Sequence, residues 1–590
     1  MNTSKKFCRR KLHTQRFVAV SVVAAVTTSI WLYSRGAQTQ RGEDQRTGDA
    51  QLNDDFDKYL AHRKRDTVEE LPRGLLDVYG LQSHRVKPEA WSTMEKMAKA
   101  GQVHALDDTL LSAALFEENG RFQFSYLEPL AGHIDQTLKE YQRFLMNDFI
   151  QLQLLVRRFP DVRERRLLEN RMMRMASHSR EYNRILRKEM KDFMVRTGLA
   201  RKSREALYKL KLKVQAAIEQ RQAYPCSRAV KCKLTNPYGF ASGIHDVLWC
   251  LIRGFQDNRR VVIDTTQWHY VSDNFTWTES FRSLDTPGDN EQNCSSLPDD
   301  PNLPGPNGQA RASLHSIPVD VAETLVRHHQ DPYAWWFGQF VGYILRPSSI
   351  TEELVQQAKE LLGFKSPIVG LHIRRTDKFS EAAYHDVEEY MEHAEEYYRN
   401  LGAQVPKRVF VATDEPRVLD DLRDSFPDFV FISNARSAEL ANDLDMRDLP
   451  ASLQGLIIDL FLLAQTDKLV CTLSSGVCRI AYELMQARRT DASDQLVSLD
   501  VSYFYAYVAA PPRQAIYSHE PVQDSGLYLS VGDCVARTSD TAVVEESVKK
   551  GAYDGFSVGI ICGSNLLAGK YPTYKTLPTV RVNATRISLL

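Results

Sequence analysis

Apolar residues cluster unevenly along this chain, and their spacing changes from one end to the other. The first cluster, FVAVSVVAAVTTSIWLY from Phe17 to Tyr33, carries no charge and reaches the shorter end of bilayer-spanning lengths. Lys5, Lys6, Arg9, Arg10, Lys11 and Arg16 precede it, and no acid appears before Glu43. Positive-inside bias therefore predicts a cytosolic tail at 1–16, a signal anchor at 17–34 and a lumenal remainder. A cleaved signal peptide is the competing reading, but the run is long for such a core and no small-x-small cleavage site follows it. Residues 35–105, with GEDQRTGDAQ and DDFDKY among the first of them, are polar and read as a stem.

From 106 to 222 the period is helical. Ile134, Leu138, Tyr141, Leu145, Phe149, Leu152 and Val156 recur every three or four residues until Pro160 stops the run. Leu168, Met172, Met175, Tyr182, Leu186 and Phe193 repeat the habit, and Leu207, Leu210, Val214 and Ile218 form a third stripe. Such stripes read as core; two long helices beyond a stem equally form a hairpin that pairs with a second copy, so a homodimer is expected. After Cys226 the pattern becomes strand, helix, strand over 223–511. Strands are expected at Val261–Asp264, Pro367–Ile373, Arg408–Ala412, Phe429–Ile432 and Lys468–Cys471, with helices at Glu352–Leu362, Val387–Leu401, Glu415–Ser425, Leu456–Gln465 and Gly476–Met485. That order is the sign of an α/β doubly wound parallel sheet, whose ligands bind at the strands' carboxyl ends. Over 512–590 helices give way to short strand-like pieces punctuated by Gly532-Asp533 and Asp554-Gly555, which suggests a small β-barrel.

A length of 590 residues permits several such units. Lys+Arg 75 against Asp+Glu 75 leaves no global cationic field, and no local basic patch stands out beyond the first residues, so nucleic acid is not an expected partner. Of the nine cysteines only Cys8 precedes the apolar span, which suits an oxidising lumen, although spacing leaves the connectivity open. Neither CxxC nor paired-His spacing is present, so no metal site is expected. Asn274, Asn293 and Asn583 open N-x-Ser/Thr sequons.

Candidate chemistry gathers where strands end. His372-Ile-Arg374-Arg375-Thr-Asp377-Lys378 follows a buried strand, and its adjacent arginines suit either bidentate contacts to a diphosphate or ion pairs with Asp377 and neighbouring acids. Ser474-Ser475-Gly476 opens a helix after Cys471 and is either an anion cradle or a simple N-cap; one geometry serves both. Gly239 and Gly243 lie in a loop before another helix and are a weaker phosphate signal. Glu381 suits a general base beside the arginines, or an ordinary surface carboxylate. Asp459 interrupts the apolar run Leu456–Leu463, where an unpaired carboxylate is costly; the paired N–H donors of guanine or a neighbouring Arg or backbone donor would satisfy it.

HIRRTDK at His372–Lys378, EAAYH at Glu381–His385, DPYAWWFGQFVGYILRP at Asp331–Pro347, VATDEP at Val411–Pro416 and CTLSSGVCRIAYELMQ at Cys471–Gln486 stand in the family's order. Through these motifs the stretch from about 226 to 520 resembles the α1,6-fucosyltransferases of the secretory pathway, which core-fucosylate N-glycans. The resemblance implies a two-Rossmann (GT-B-like) core with coiled-coil helices before it and a Src-homology-3-like barrel after it. It further implies a Golgi membrane protein of single-pass type II topology, which moves L-fucose from GDP-β-L-fucose to O6 of the innermost GlcNAc of N-glycoproteins, with inversion and without a metal.

Site roles follow from the same likeness. Arg374, with Arg375 beside it, is similar to the diphosphate-binding arginine, Ser475 to the phosphate-contacting serine, Asp459 to the guanine-reading aspartate and Glu381 to the catalytic base. Lys378 matches the lysine that assists the base and Tyr270 a nucleotide-contacting tyrosine, while His372, Asp414 and Gly239 fall in matching donor motifs. Asp500 and Tyr503 occupy the acceptor side. Implied cystines are Cys226 with Cys294, Cys232 with Cys250 and Cys471 with Cys478, with no counterpart for Cys534 or Cys562. The chain departs from the family in a Lys378–Glu381 spacer one residue shorter, in Phe240 for tyrosine, in Tyr238 and Ser242 for cysteines, in Gly476 for glutamine and in Val501 for the second acceptor-side aspartate. These changes motivate an alternative, a catalytically weak glycan-binding or scaffold protein on the same fold.

Overall fold

The computed structural model describes residues 127–590 except 159–160, 235–237, 267, 269–276, 285–293, 295–315, 381, 403, 444, 448, 501–502, 504–511, 522–525, 538–555, 563–568 and 584–590. The expected anchor and stem, together with Tyr270 and Glu381, lie outside the described residues. Among those described, no helix is long and apolar enough to cross a membrane.

Three helices come first: α1 (Leu127–Val156), α2 (Val162–Arg196) and α3 (Leu199–Gln222). Asp161 starts α2, its Oδ1 accepting from the N–H groups of Arg163 at 2.7 Å and Glu164 at 3.0 Å. The α3 stripe of Leu207, Leu210, Val214 and Ile218 is buried. On α1 and α2 the core reading fails, since Tyr141, Leu152, Met175, Tyr182 and Phe193 are exposed. The physical reason is that charged groups make the contact with the body. Lys139 Nζ lies 2.8 Å from Asp135, 3.2 Å from Asp494 and 2.8 Å from the Gln330 amide oxygen, and Arg180 lies 2.6 Å from Glu392.

Next come β1 (Ala229–Lys233), α4 (Phe240–Gln256) and β2 (Arg260–Asp264), with β1 and β2 parallel from Ala229 opposite Arg260 to Lys233 opposite Asp264. These two are the described strands of the amino-terminal half. After α5 (Val319–His328), α6 (Pro332–Ile344) and α7 (Ser349–Leu362) the main sheet begins. It alternates β3 (Ile368–Ile373), α8 (Val387–Leu401), β4 (Arg408–Thr413), α9 (Arg417–Ser425), β5 (Val430–Ile432), α10 (Ala435–Asn442), α11 (Pro450–Leu463), β6 (Lys468–Cys471), α12 (Gly476–Arg488) and β7 (Leu496–Ser498). All five strands are parallel in the order β5-β4-β3-β6-β7, so the winding reverses between β3 and β6. Helices cover both faces, which is why every residue of β3 is buried.

Helix α12 occupies the centre of this packing, with every residue from Cys478 to Ala487 buried. Against it lies α6, whose aromatic residues continue into α4: Trp249 meets Phe337 edge-on at 5.5 Å between ring centres, and Phe255 meets Phe340 at 5.3 Å. Gly338 and Gly342 allow the close approach of α6 to α12. A Cβ at Gly338 would stand 2.6 Å from the Glu483 carbonyl oxygen, and one at Gly342 would stand 2.5 Å from the Ala487 Cβ.

The carboxyl-terminal strands β8 (Arg513–Ala515), β9 (Cys534–Arg537), β10 (Phe556–Ile561), β11 (Gly569–Pro572) and β12 (Thr576–Pro578) form an antiparallel sheet in the order β11-β10-β9-β8-β12 around Ala515, Leu527, Leu529, Val535 and Tyr571. The chain then returns to the body, where Val582–Asn583 pairs in parallel with Ile317–Pro318. Cystines join Cys226–Cys294, Cys232–Cys250 and Cys471–Cys478, the pairs implied by the resemblance, and Cys534–Cys562, a pairing the sequence left open.

Gly338→Ala is expected to destabilise the fold by about 1–3 kcal/mol through overpacking, lowering the midpoint of thermal unfolding followed by circular dichroism. Gly132→Ala, where a Cβ meets nothing within 4 Å, serves as the control and leaves the midpoint level or raised. Equal midpoints for both variants would contradict the tight α6–α12 seam.

Candidate functional site

The carboxyl ends of β3, β4, β6 and β7 form one edge of the sheet, and the winding reversal leaves a crevice there. Beyond β3, the Arg374 guanidinium pairs with Asp414 at the end of β4 and lies 2.5 Å from Asp377. Asp414 is buried, and its other oxygen accepts from the Arg375 N–H at 2.7 Å. One carboxylate thus fixes the Arg374 guanidinium and the Arg375 backbone. Thr376 sits at φ 24°, a backbone conformation L residues rarely adopt. Its hydroxyl is held by Arg374 at 3.0 Å and by Arg447 at 2.7 Å, and it also donates to Asp414. Arg447 lies 3.2 Å from Asp377 as well. Arg374 and Arg447 thus face Asp377 and Asp414, while the Arg375 guanidinium lies 3.6 Å over the Tyr384 ring and Lys378 reaches the loop after β6, so four cations gather at this edge.

The loop after β6 supplies the other wall. Ser475 takes the N-cap position of α12 and Gly239 that of α4, and neither helix has a side-chain cap. These two helix starts touch, because a Cβ at Gly476 would stand 2.7 Å from the Ala241 Cβ. The absence of a Cβ at Gly476 is what admits this approach. Lys378 Nζ donates to the Ser474 carbonyl at 3.2 Å, and Arg479 Nη1 donates to that of Leu473 at 2.8 Å. With its carbonyl groups so engaged, the loop's first-turn N–H groups form the positive end of α12.

Several buried polar atoms around this edge have no hydrogen-bond partner within the protein: His372 Nδ1, Arg375 Nε, His385 Nε2, Ser474 Oγ, Arg479 Nε and Asp459 Oδ1. Five of them lie at the end of β3 or β6 or in the segments that follow. The sixth is on α11, which packs against β3 and α12. Buried atoms of His133, Gln142, Trp277 and Trp336 elsewhere are unmet too, so it is the gathering of five at one sheet edge, rather than the lack of partners alone, that suits a polar ligand. Burial, aided by Arg374, lowers the His372 pKa to about 3, so the ring is neutral. Asp459 accepts from the Ser437 hydroxyl at 2.6 Å through its other oxygen, and burial, partly offset by Ser437 and Asn434, pushes its carboxyl up to about 7.

The structure thus brings Arg374, Arg375, Lys378, Asp414, Ser475 and Gly239 to one edge, while Asp459 stands apart on α11. Asp500, expected on the acceptor side, is turned into the loop: its carboxylate accepts from the Ser474 N–H at 3.2 Å and the Ser498 hydroxyl at 3.0 Å. Tyr503 donates to the buried Glu483 at 2.7 Å. Sequence reasoning missed Arg447, which follows α10 in a stretch without period, and His385. It also missed Arg479, whose signal was available: a cation in the first turn of a helix opposes the local dipole and needs a structural cause.

Residues 5–504 match the family model for alpha-(1,6)-fucosyltransferase N- and catalytic domains. An alpha-(1,6)-fucosyltransferase of Drosophila melanogaster is 35% identical over 367 residues, 59% of this chain and 56% of that protein. Its counterpart in Caenorhabditis elegans is 28% identical over 435 residues, 70% of this chain and 73% of that protein. The matched part of the chain thus spans just over half the length of the fly relative. The crystal structure of fucosyltransferase NodZ from Bradyrhizobium aligns with a TM-score of 0.27 at 18% identity, covering 43% of this chain and 92% of that one.

Asp459 gives the unliganded protein a distinctive pH dependence. Between the ordinary carboxylate range and about 7 the unfolded chain has released this proton and the folded chain still holds it. The fold therefore loses stability as pH rises through that window and levels off above it. Asp459→Asn, which has no proton to lose, is expected to gain melting temperature relative to the native protein progressively between about pH 5 and pH 7. A constant difference in thermal-shift assays across that range would contradict the raised carboxyl.

Proposed function

Because the chain belongs to the alpha-(1,6)-fucosyltransferase family, we propose that it transfers L-fucose from GDP-β-L-fucose to O6 of the innermost GlcNAc of N-glycans. The carrying observation is the cluster of unpartnered buried polar atoms set beside Arg374, Arg375, Arg447 and Lys378 at the sheet's switch point. A nucleoside diphosphate has the charge and the donor–acceptor groups to meet both.

In this reading Arg374, oriented by Asp414, and Arg375 hold the diphosphate together with Ser475, His372 and the helix starts at Ser475 and Gly239. Asp459 accepts the two adjacent N–H groups of guanine, and Tyr270 contacts the nucleotide. The acceptor O6 attacks C1 of fucose while the bond from C1 to the β-phosphate oxygen breaks, which inverts β to α. The O6 proton passes to Glu381, assisted by Lys378, and the bonding electrons leave with GDP, where the arginines stabilise the added charge. Those cations supply the neutralisation a metal would otherwise give, so the reaction runs without one. Asp500 and Tyr503 shape the acceptor side, at second hand through the contacts described above.

The same membership supports a two-Rossmann core, a signal anchor at 17–34 in the Golgi membrane with the remainder lumenal, and a Src-homology-3-like assignment for the carboxyl-terminal sheet. Four cystines suit that oxidising lumen. Exposed apolar residues such as Tyr141, Leu152, Leu155, Leu167 and Tyr182 on α1 and α2 support a homodimer formed through the helical hairpin.

The deciding assay incubates the protein with GDP-fucose, EDTA and a biantennary GlcNAc-terminated N-glycopeptide and reads fucose position by fragmentation mass spectrometry. Fucose on the innermost GlcNAc is expected. GDP binding without transfer would favour a binding-only scaffold, and transfer that needs added Mn²⁺ would overturn metal independence. Glu381→Gln is expected to lower kcat by about 10²–10⁴ while GDP binding persists, and native turnover would remove Glu381 from the base role. Arg374→Ala is expected to weaken GDP binding about tenfold or more in calorimetry, whereas native affinity would refute the diphosphate contact.

A further inference from the structure

Outside the phosphate edge, the carboxylate of Glu483, on the third turn of α12, is fully buried and shared by two other elements. His245 Nε2, on α4, lies 3.2 Å from Oε1 and 3.1 Å from Oε2, and the Tyr503 hydroxyl donates to Oε1 at 2.7 Å. The His245 ring and the carboxylate thus share a hydrogen bond between α4 and α12. Each partner belongs to a different element beside the loop after β6. His245 is six residues along α4 from Gly239, Glu483 is on the helix that begins at Ser475, and Tyr503 follows Asp500, which accepts from the Ser474 N–H.

Glu483 lies about 12 Å along the helix from Ser475, too far to touch the reacting atoms. Its effect can reach the site only through the elements it ties. A buried carboxylate tolerates poorly the loss of either donor, so any shift of α4 or of Tyr503 is felt by the other through this group.

Resting on the fucosyltransferase reading, we propose that Glu483 is a positioning residue that couples the donor and acceptor sides, holding the Gly239 phosphate loop through His245 and the acceptor-side segment through Tyr503. Order on one side then favours order on the other, and the coupling is reciprocal.

The test is a double-mutant cycle in the full-length protein, with calorimetric GDP affinity and acceptor KM read for each variant and circular dichroism verifying the fold. His245→Gln, on the donor side, is expected to raise the acceptor KM about fivefold as well as weaken GDP binding. Tyr503→Phe, on the acceptor side, is expected to weaken GDP binding by a similar factor. The double variant should be no worse than the worse single one, because either substitution already breaks the one link. Glu483→Gln should reproduce both effects; if it fails to fold, the two rim variants still carry the test. Effects that stay on their own side and add in the double variant overturn the coupling alone. A native protein that binds no GDP overturns the donor reading and this proposal with it.

Discussion

A helix buried on every side has nowhere to send its polar groups except to neighbouring elements, and α12 is such a helix. Its Arg479 donates to carbonyls of the loop that precedes it, its Tyr482 hydroxyl donates to Asp331 at 2.7 Å, its Glu483 takes His245 and Tyr503, and the Gln486 oxygen lies 3.1 Å from His329 and accepts from the Ala492 N–H at 3.1 Å. Each bond satisfies a local requirement and at the same time fixes a segment of the site's surroundings. The two glycines of α6 let the backbones close in enough for these bonds to form in a dry interior. Stability and site geometry are here one problem.

Around the mouth of the crevice the logic is the reverse. There the fold tolerates polar atoms without partners and a strained Thr376, and apart from the mouth, on α11, a buried carboxyl at Asp459 pushed up to about 7. These features cost the empty protein stability, and a bound nucleotide would relieve several of them at once. The cystine from Cys471 to Cys478 ties the loop between β6 and α12 to that helix's first turn, so the ordering needed for anion binding is partly present before a ligand arrives.

Five of the parallel strands were legible because they are short, almost wholly apolar and separated by helical spacing, and the strand expected at Lys468–Cys471 and the helix at Val387–Leu401 end where the structure ends them; Ala229–Lys233, broken by two lysines, and the three-residue Leu496–Ser498 were not. Helix α6 escaped notice because aromatic and aliphatic residues follow one another with no period. The stripes on α1 and α2 show the opposite failure, for a correct period does not say what covers the apolar face. At the site, adjacent arginines after a strand were legible as anion chemistry, but the partners that orient them were not. Asp414 and Arg447 reach Arg374 and Asp377 only through the sheet's winding, and no local spacing encodes that juxtaposition.

The short pairing of Val582–Asn583 beside Ile317–Pro318 joins segments made far apart in time during synthesis. Until residues 582–583 leave the ribosome, the edge at Ile317 has no strand to bond, even though α6 and the main sheet behind it have long emerged. Completion of the body therefore waits on the carboxyl-terminal sheet being made first. A pause or truncation before this point leaves an exposed backbone edge open to chaperones and to pairing with other chains.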